Sequence, residues 1–195
     1  MRRLVPLLAC VLVIACKKEA PPPAEPPGPA PGTPEWKIQN ARSAAPFDAA
    51  SGATVLDWPA SDTAQPPQLA AGTNGWSCFP DDPNTPANDP VCADEETMKW
   101  FDAWSKHQPP RLAAMGVGYM LQGGKSASDT DPFKLAPDSG QPWLEDPPHL
   151  MIFMPNPRAA FAGLPTTRTA SGPWVMFAGT PYAHLMVPVS RPAQR

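Results

Sequence analysis

The sequence predicts an α+β domain: a small antiparallel sheet with one main helix packed on it, rich in loops and stapled by one disulfide. Three observations predict it. Residues 94–106 (DEETMKWFDAWSK) carry the one strong helical period of the chain. Residues 113–122, 149–154, 173–178 and 184–189 are short apolar runs, and their β-branched and aromatic content with Pro boundaries favours strands. Cys78 and Cys92 bracket a loop containing Pro80, Pro83, Pro86 and Pro90. With 195 residues, 31 Pro, 13 Gly and 42% hydrophobic residues, the chain can bury one core and hardly two. Fifteen Lys and Arg stand against 18 Asp and Glu, and no basic stripe is present, which argues against a nucleic-acid partner.

The N-terminus reads as an address. Met1, Arg2 and Arg3 precede twelve almost wholly apolar residues, 4–15, the n-region and h-region of a secretory signal and too short to span a bilayer. The run closes on Val13-Ile14-Ala15-Cys16. A small residue before Cys at this place resembles the lipobox of bacterial lipoproteins, with Val13 where Leu is usual. Leu7-Leu8-Ala9-Cys10 fits the same pattern, but leaves an h-region too short for export. The resemblance implies that the Cys16 sulfur carries a lipid, that residues 1–15 are removed, and that a membrane is the partner through this anchor. Lys17, not Asp, follows the Cys, which in Gram-negative lipoproteins implies sorting to the outer membrane. Loss of Arg2 and Arg3 takes the net charge from −3 to −5. Residues 16–35 hold eight prolines, from Pro21 to Pro34, so they read as a polyproline II tether reaching roughly 50 Å.

Residues 36–52 are rich in Ala and Ser with weak periodicity, and read as linker or loose wrapping before a single globular domain over 53–195. Thr54 to Trp58 reads as a strand stopped by Pro59, and 59–75 as loop. In an exported protein, the two cysteines left after lipidation read as one disulfide, Cys78–Cys92. In the helix of 94–106, Asp94 is the cap, Glu95 and Glu96 sit in the first turn and Pro109-Pro110 ends the segment. Thr97, Trp100, Phe101 and Trp104 fall on one face as core. Asn156-Pro157 through Gly163 reads as one helical turn. The runs 173–178 and 184–189 flank Gly179 to Ala183 and should pair as a hairpin.

Chemistry has few places to live. His149 and His184 begin two similar strings, PHLMI and AHLMV, and period-two alternation puts Met151 with the first and Met186 with the second. If the strands are neighbours, two imidazoles and two thioethers suit copper or zinc; the competing reading is a pair of structural histidines satisfied by backbone. Residues 120–126 (MLQGGKS) miss the phosphate-loop register, so no nucleotide and no cofactor is expected. The Gly123-Gly124 turn instead exposes Ser126, Ser128, Asp129 and Asp131 as a loop for a sugar or an ion, or as plain Asx-turns. The acidic loop of Asp81, Asp82, Asn84, Asn88 and Asp89 invites weak calcium binding but lacks EF-hand spacing. No serine- or metallo-hydrolase motif is present, although Ser126 or Ser128 with a His and an Asp leaves a small hydrolase as a further reading.

Beyond the lipobox, the strings GWSCFPDDP (75–83), NDPVC (88–92), GYMLQGG (118–124), SDTDPF (128–133) and PWVMFAGTPYAHLMVPV (173–189) resemble an uncharacterised group of exported bacterial proteins. That resemblance implies one exported domain and no chemistry. The expectation is a lipid-anchored envelope protein, non-enzymatic, with a binding or structural domain. A metal-binding protein using His149 and His184 and a small secreted hydrolase are the alternatives.

Overall fold

The computed structural model describes residues 28–61, 64–169 and 172–189; the leader, Cys16 and most of the tether lie outside them. The chain forms α1 (Pro34–Arg42), α2 (Phe47–Ala50), β1 (Thr54–Leu56), β2 (Gln68–Ala70), β3 (Ser77–Phe79), β4 (Val91–Ala93), α3 (Glu95–Ser105), β5 (Gly116–Met120), β6 (Gly124–Ser126), β7 (Leu144–Asp146), β8 (His149–Phe153), α4 (Pro157–Ala160), β9 (Trp174–Met176) and β10 (His184–Pro188). Eight strands make one sheet in the order β2-β1-β3-β4-β5-β8-β10-β9, and β6 pairs with β7 separately. Among the described residues no helix is long and apolar enough to cross a membrane.

The α+β class stands, but the sheet is neither small nor wholly antiparallel. β1 runs parallel to β3, while the other pairs of the large sheet are antiparallel. The extra strands β2, β3, β4, β6 and β7 have three residues each, too few to show a period of two. The expected hairpin forms, with His184 opposite Met176 and Met186 opposite Trp174.

Nor does one helix dominate. Residues 36–52, expected as linker or loose wrapping, form most of α1 and all of α2. Thr33 caps α1 by accepting from Trp36 N at 3.3 Å, and Pro34 and Glu35 open its first turn, where a missing N–H and a negative charge are both tolerated. What read as low periodicity is a packing stripe of small residues. Ala41, Ala44, Ala50 and Ala53 are buried against Val55, Cys78 and Cys92, because alanine lets a helix approach a sheet closely. Alanine carries little hydrophobicity, so the stripe was silent in the pattern.

The sheet is covered differently on its two faces. Paired residues share a face, so Phe79 and Val91 lie with Met151, Phe153, Trp174, Met176 and Met186 on the first face, where α3 packs with Trp100. Asp94 joins α3 to the sheet: Oδ1 accepts from Thr97 N at 2.8 Å, capping the helix, and Oδ2 accepts from Val117 N at 2.7 Å. On the second face, α1 lies over Cys78, Cys92 and Val55. Cys78 and Cys92 are directly opposite residues of β3 and β4, with Cα atoms 4.0 Å apart and a disulfide between them. Farther along this face Val117, Ile152 and Leu185 pair in a row and stay only half-buried.

The α3–β5 seam is tight because position 116 has no side chain. A Cβ there would come within 2.7 Å of Thr97 Oγ1 and 2.9 Å of Thr97 N, and the backbone atom cannot swing away. Gly116→Ala is expected to cost about 1–3 kcal/mol by overpacking, read as a lower urea midpoint with unchanged slope.

Candidate functional site

Ionisable side chains converge at the start of β8, beside the small β6–β7 ribbon. β6 supplies Ser126, the following loop Asp129, β7 Asp146, the stretch before β9 Arg168, and β8 His149. Arg168 is the hub. Its Nε and Nη2 donate to the two oxygens of Asp129 at 3.0 and 2.6 Å, a fork-to-fork pair, and Nη1 donates to the Glu145 carbonyl at 2.6 Å and to Asp146. Ser126 Oγ donates to the other oxygen of Asp146. The guanidinium also lies 5.0 Å over the Trp174 ring, a cation–π contact on an electron-rich face. Burial works against the charge of Arg168, but the two aspartates outweigh it and hold its pKa above the ordinary arginine value.

These contacts make an internal clasp. Planar Arg suits this place because its fork pairs both oxygens of one carboxylate while its remaining N–H groups reach a second carboxylate and a carbonyl. Of the proposed ligand loop, Ser126 and Asp129 turn inward to this clasp, while Ser128 and Asp131 shape the loop itself. Ser128 Oγ accepts from the backbone N–H of Thr130 and Asp131, at 3.1 and 2.9 Å, and Asp131 accepts from Phe133 N at 2.9 Å. Arg168, Asp146 and Trp174 escaped the sequence reading. An isolated arginine in a Thr-rich loop shows no spacing to its partners 22 and 39 residues away.

The two histidines do not meet. β8 and β10 are neighbours, as the metal reading required, and both rings face α3. Met151 stands directly opposite Met186. But His149 is opposite Pro188, at the far end of β10 from His184, an offset of four residues or about 13 Å. His149 Nδ1 donates to the Pro147 carbonyl at 2.7 Å, and His184 Nδ1 donates to the Tyr182 carbonyl at 3.1 Å. His184 is further enclosed by the rings of Trp100, Phe153 and Phe177, with centroids at 5.4, 5.0 and 5.4 Å. Burial lowers the pKa of both, that of His184 to about 4. Among the described residues, no three His, Cys, Asp or Glu gather as a metal site. Neither Ser126 nor Ser128 bonds to a histidine: the first donates to Asp146 and the second serves its own loop.

The acidic loop is likewise turned on itself. Asp89 accepts from Asp82 N at 3.1 Å and from Thr85 Oγ1 at 2.6 Å, and its own N–H donates to Asp81 at 3.1 Å. Burial, with the Asp81 carboxylate alongside, raises the Asp89 pKa to about 6 against the lowering effect of those donors. Asn40 of α1 anchors the loop from above, accepting from Asp81 N at 2.7 Å and donating to Asn88 at 2.6 Å.

Comparison with protein-family models, with curated proteins and with solved structures returned no match for this chain.

Removing the hub of the clasp leaves Asp146 buried and without its cation. Arg168→Ala is expected to lower the unfolding free energy by about 3 kcal/mol, with Arg168→Lys between it and the wild type because the fork is lost but the charge kept; denaturant titration measures both. Asp89 and His184 give opposite pH trends. Asp89, raised to about 6 from 3.8, contributes stability that is complete below about pH 4 and lost as pH rises through 6. His184, lowered to about 4 from 6.5, takes a proton only in the unfolded chain between those values, so stability is lost as pH falls from 6.5. Across this window, Asp89→Asn should make unfolding free energy climb more steeply with pH and His184→Gln less steeply than the wild type.

Proposed function

We propose that this chain is a lipid-anchored protein of the bacterial envelope, held on the outer membrane through Cys16, whose folded domain binds or spaces another component and performs no catalysis. The observation that carries the reading is the Cys78–Cys92 disulfide. Such bonds form and persist in oxidising compartments, and the leader of residues 1–15 supplies the route to one. The half-buried row of Val117, Ile152 and Leu185 supports a contact role for the second sheet face, since these apolar side chains keep part of their surface in reach of a partner. The clasp supports a non-enzymatic domain: Ser126, Asp129, Asp146 and Arg168 occupy one another's hydrogen-bonding groups rather than facing an open cleft.

Metabolic labelling with palmitate in the native cell tests the anchor. Label is expected in the wild-type protein and absent from Cys16→Ser, with Cys78 and Cys92 resistant to alkylation until reductant and denaturant are added. Unlabelled wild-type protein, or freely alkylated thiols in the native cell, would overturn the assignment.

A further inference from the structure

His149 is fully buried, and its Nε2 has no hydrogen-bond partner among the described residues. The Pro147 carbonyl can only accept, so Nδ1 carries the ring proton and Nε2 presents a bare lone pair. A buried acceptor left unpaired costs about 1–3 kcal/mol. Arg42 Nε, Thr97 Oγ1 and the indole nitrogens of Trp100 and Trp174 are also buried and unpaired among the described residues, but of these atoms only the imidazole nitrogen is a ready ligand for a soft metal.

The sheet register says which side chains share a face with His149. Met120 is directly opposite His149 on β5, which places their Cβ atoms about 5 Å apart. Met151 lies two residues along β8 on the same face, and Met186, opposite Met151, is the diagonal neighbour on β10. Met151 and Met186 are 6% and 2% exposed, while half-buried Met120 leaves a way in. Gly118, also opposite Met151, lets the Met151 side chain lie over β5: a Cβ there would come within 2.9 Å of the Met151 methyl. A thioether has no hydrogen to donate to an imidazole nitrogen, so three methionines cannot satisfy His149. A soft cation can be held by all four groups.

The charge of that cation follows from its setting. One imidazole and three thioethers are neutral, and no carboxylate is among the four groups. Desolvating a divalent ion into such a site is far costlier than desolvating a monovalent one, and thioethers select Cu(I) among the first-row metals. We propose that His149 Nε2 and the sulfurs of Met120, Met151 and Met186 form a buried site for a monovalent soft metal ion, Cu(I) in the cell. His184 takes no part. Because Nε2 carries no proton, binding displaces none.

This inference gives the binding domain a ligand and rests on the proposed function only for its setting, so palmitate labelling and metal titration can fail separately. Full-length protein in detergent, labelled with methyl-13C methionine, is titrated with Ag(I) as a redox-inert probe and with Cu(I) against a chromophoric chelator. One equivalent is expected to bind and to shift the methyl signals of Met120, Met151 and Met186, leaving exposed Met115 unchanged. Met120→Leu and Met186→Leu keep core volume and should each weaken binding about tenfold or more, with His149→Phe abolishing it. Absence of a stoichiometric complex, shifts confined to Met115, or affinity unchanged in the two leucine variants would overturn the site.

Discussion

Short strands are the constraint on which the rest of this structure depends. Among the described residues, seven of the ten strands have three residues, and only β5, β8 and β10 have five. A three-residue strand makes few ladder hydrogen bonds and cannot hold its own register. The three longer strands are consecutive in the sheet and form its self-sufficient part. Elsewhere, side chains do what the ladder does not. The disulfide locks β3 to β4, Asp94 ties α3 to β5, and Arg168 draws the β6–β7 ribbon against the loop before β9. Asn40 fastens α1 to the acidic loop, and Trp58 Nε1 donates to the Pro80 carbonyl at 2.8 Å from the other side.

The same need explains why the polar residues are used so locally. A loop-rich chain with 31 prolines leaves many backbone groups outside regular ladders, and each must find a partner or remain in water. Ser128, Asp82, Asp89 and Asp131 serve neighbouring N–H groups for this reason. Their density on the sequence resembles a binding loop, yet each accepts hydrogen bonds from its own loop. His149 differs because, among the described residues, only one of its nitrogens finds a partner.

Legibility in the sequence followed the strength of each local signal. The α3 helix is announced by its cap, its first-turn acids and the aromatic face of Trp100, Phe101 and Trp104, and the three long strands by apolar runs with Pro or Gly at their borders. Cys78 and Cys92 were legible from number and spacing. α1 was not, because its buried face is built of Ala41 and its neighbours, which read as polar-neutral filler until a sheet lies beneath them. The clasp was half legible: Ser126, Asp129 and His149 stood out as polar residues in apolar or turn-rich strings, but Arg168 and Asp146 are joined to them only by the fold. His184 and His149 looked equivalent because their strings match, whereas antiparallel pairing sends matching strings in opposite directions.

One feature of the second face bears on how the molecule is made. Both sulfurs are sealed beneath α1, with the Ala41 carbonyl 3.5 Å from Cys92 Sγ and neither cysteine exposed to solvent. An oxidant enzyme must reach a thiolate to exchange with it, so the cross-link is made while that helix is still away from the sheet. The segment that comes first in the chain is thus the last to settle, closing like a hatch over finished work. Afterwards no reductant gains entry unless the hatch lifts, which shelters the bond from later swings in the chemistry outside.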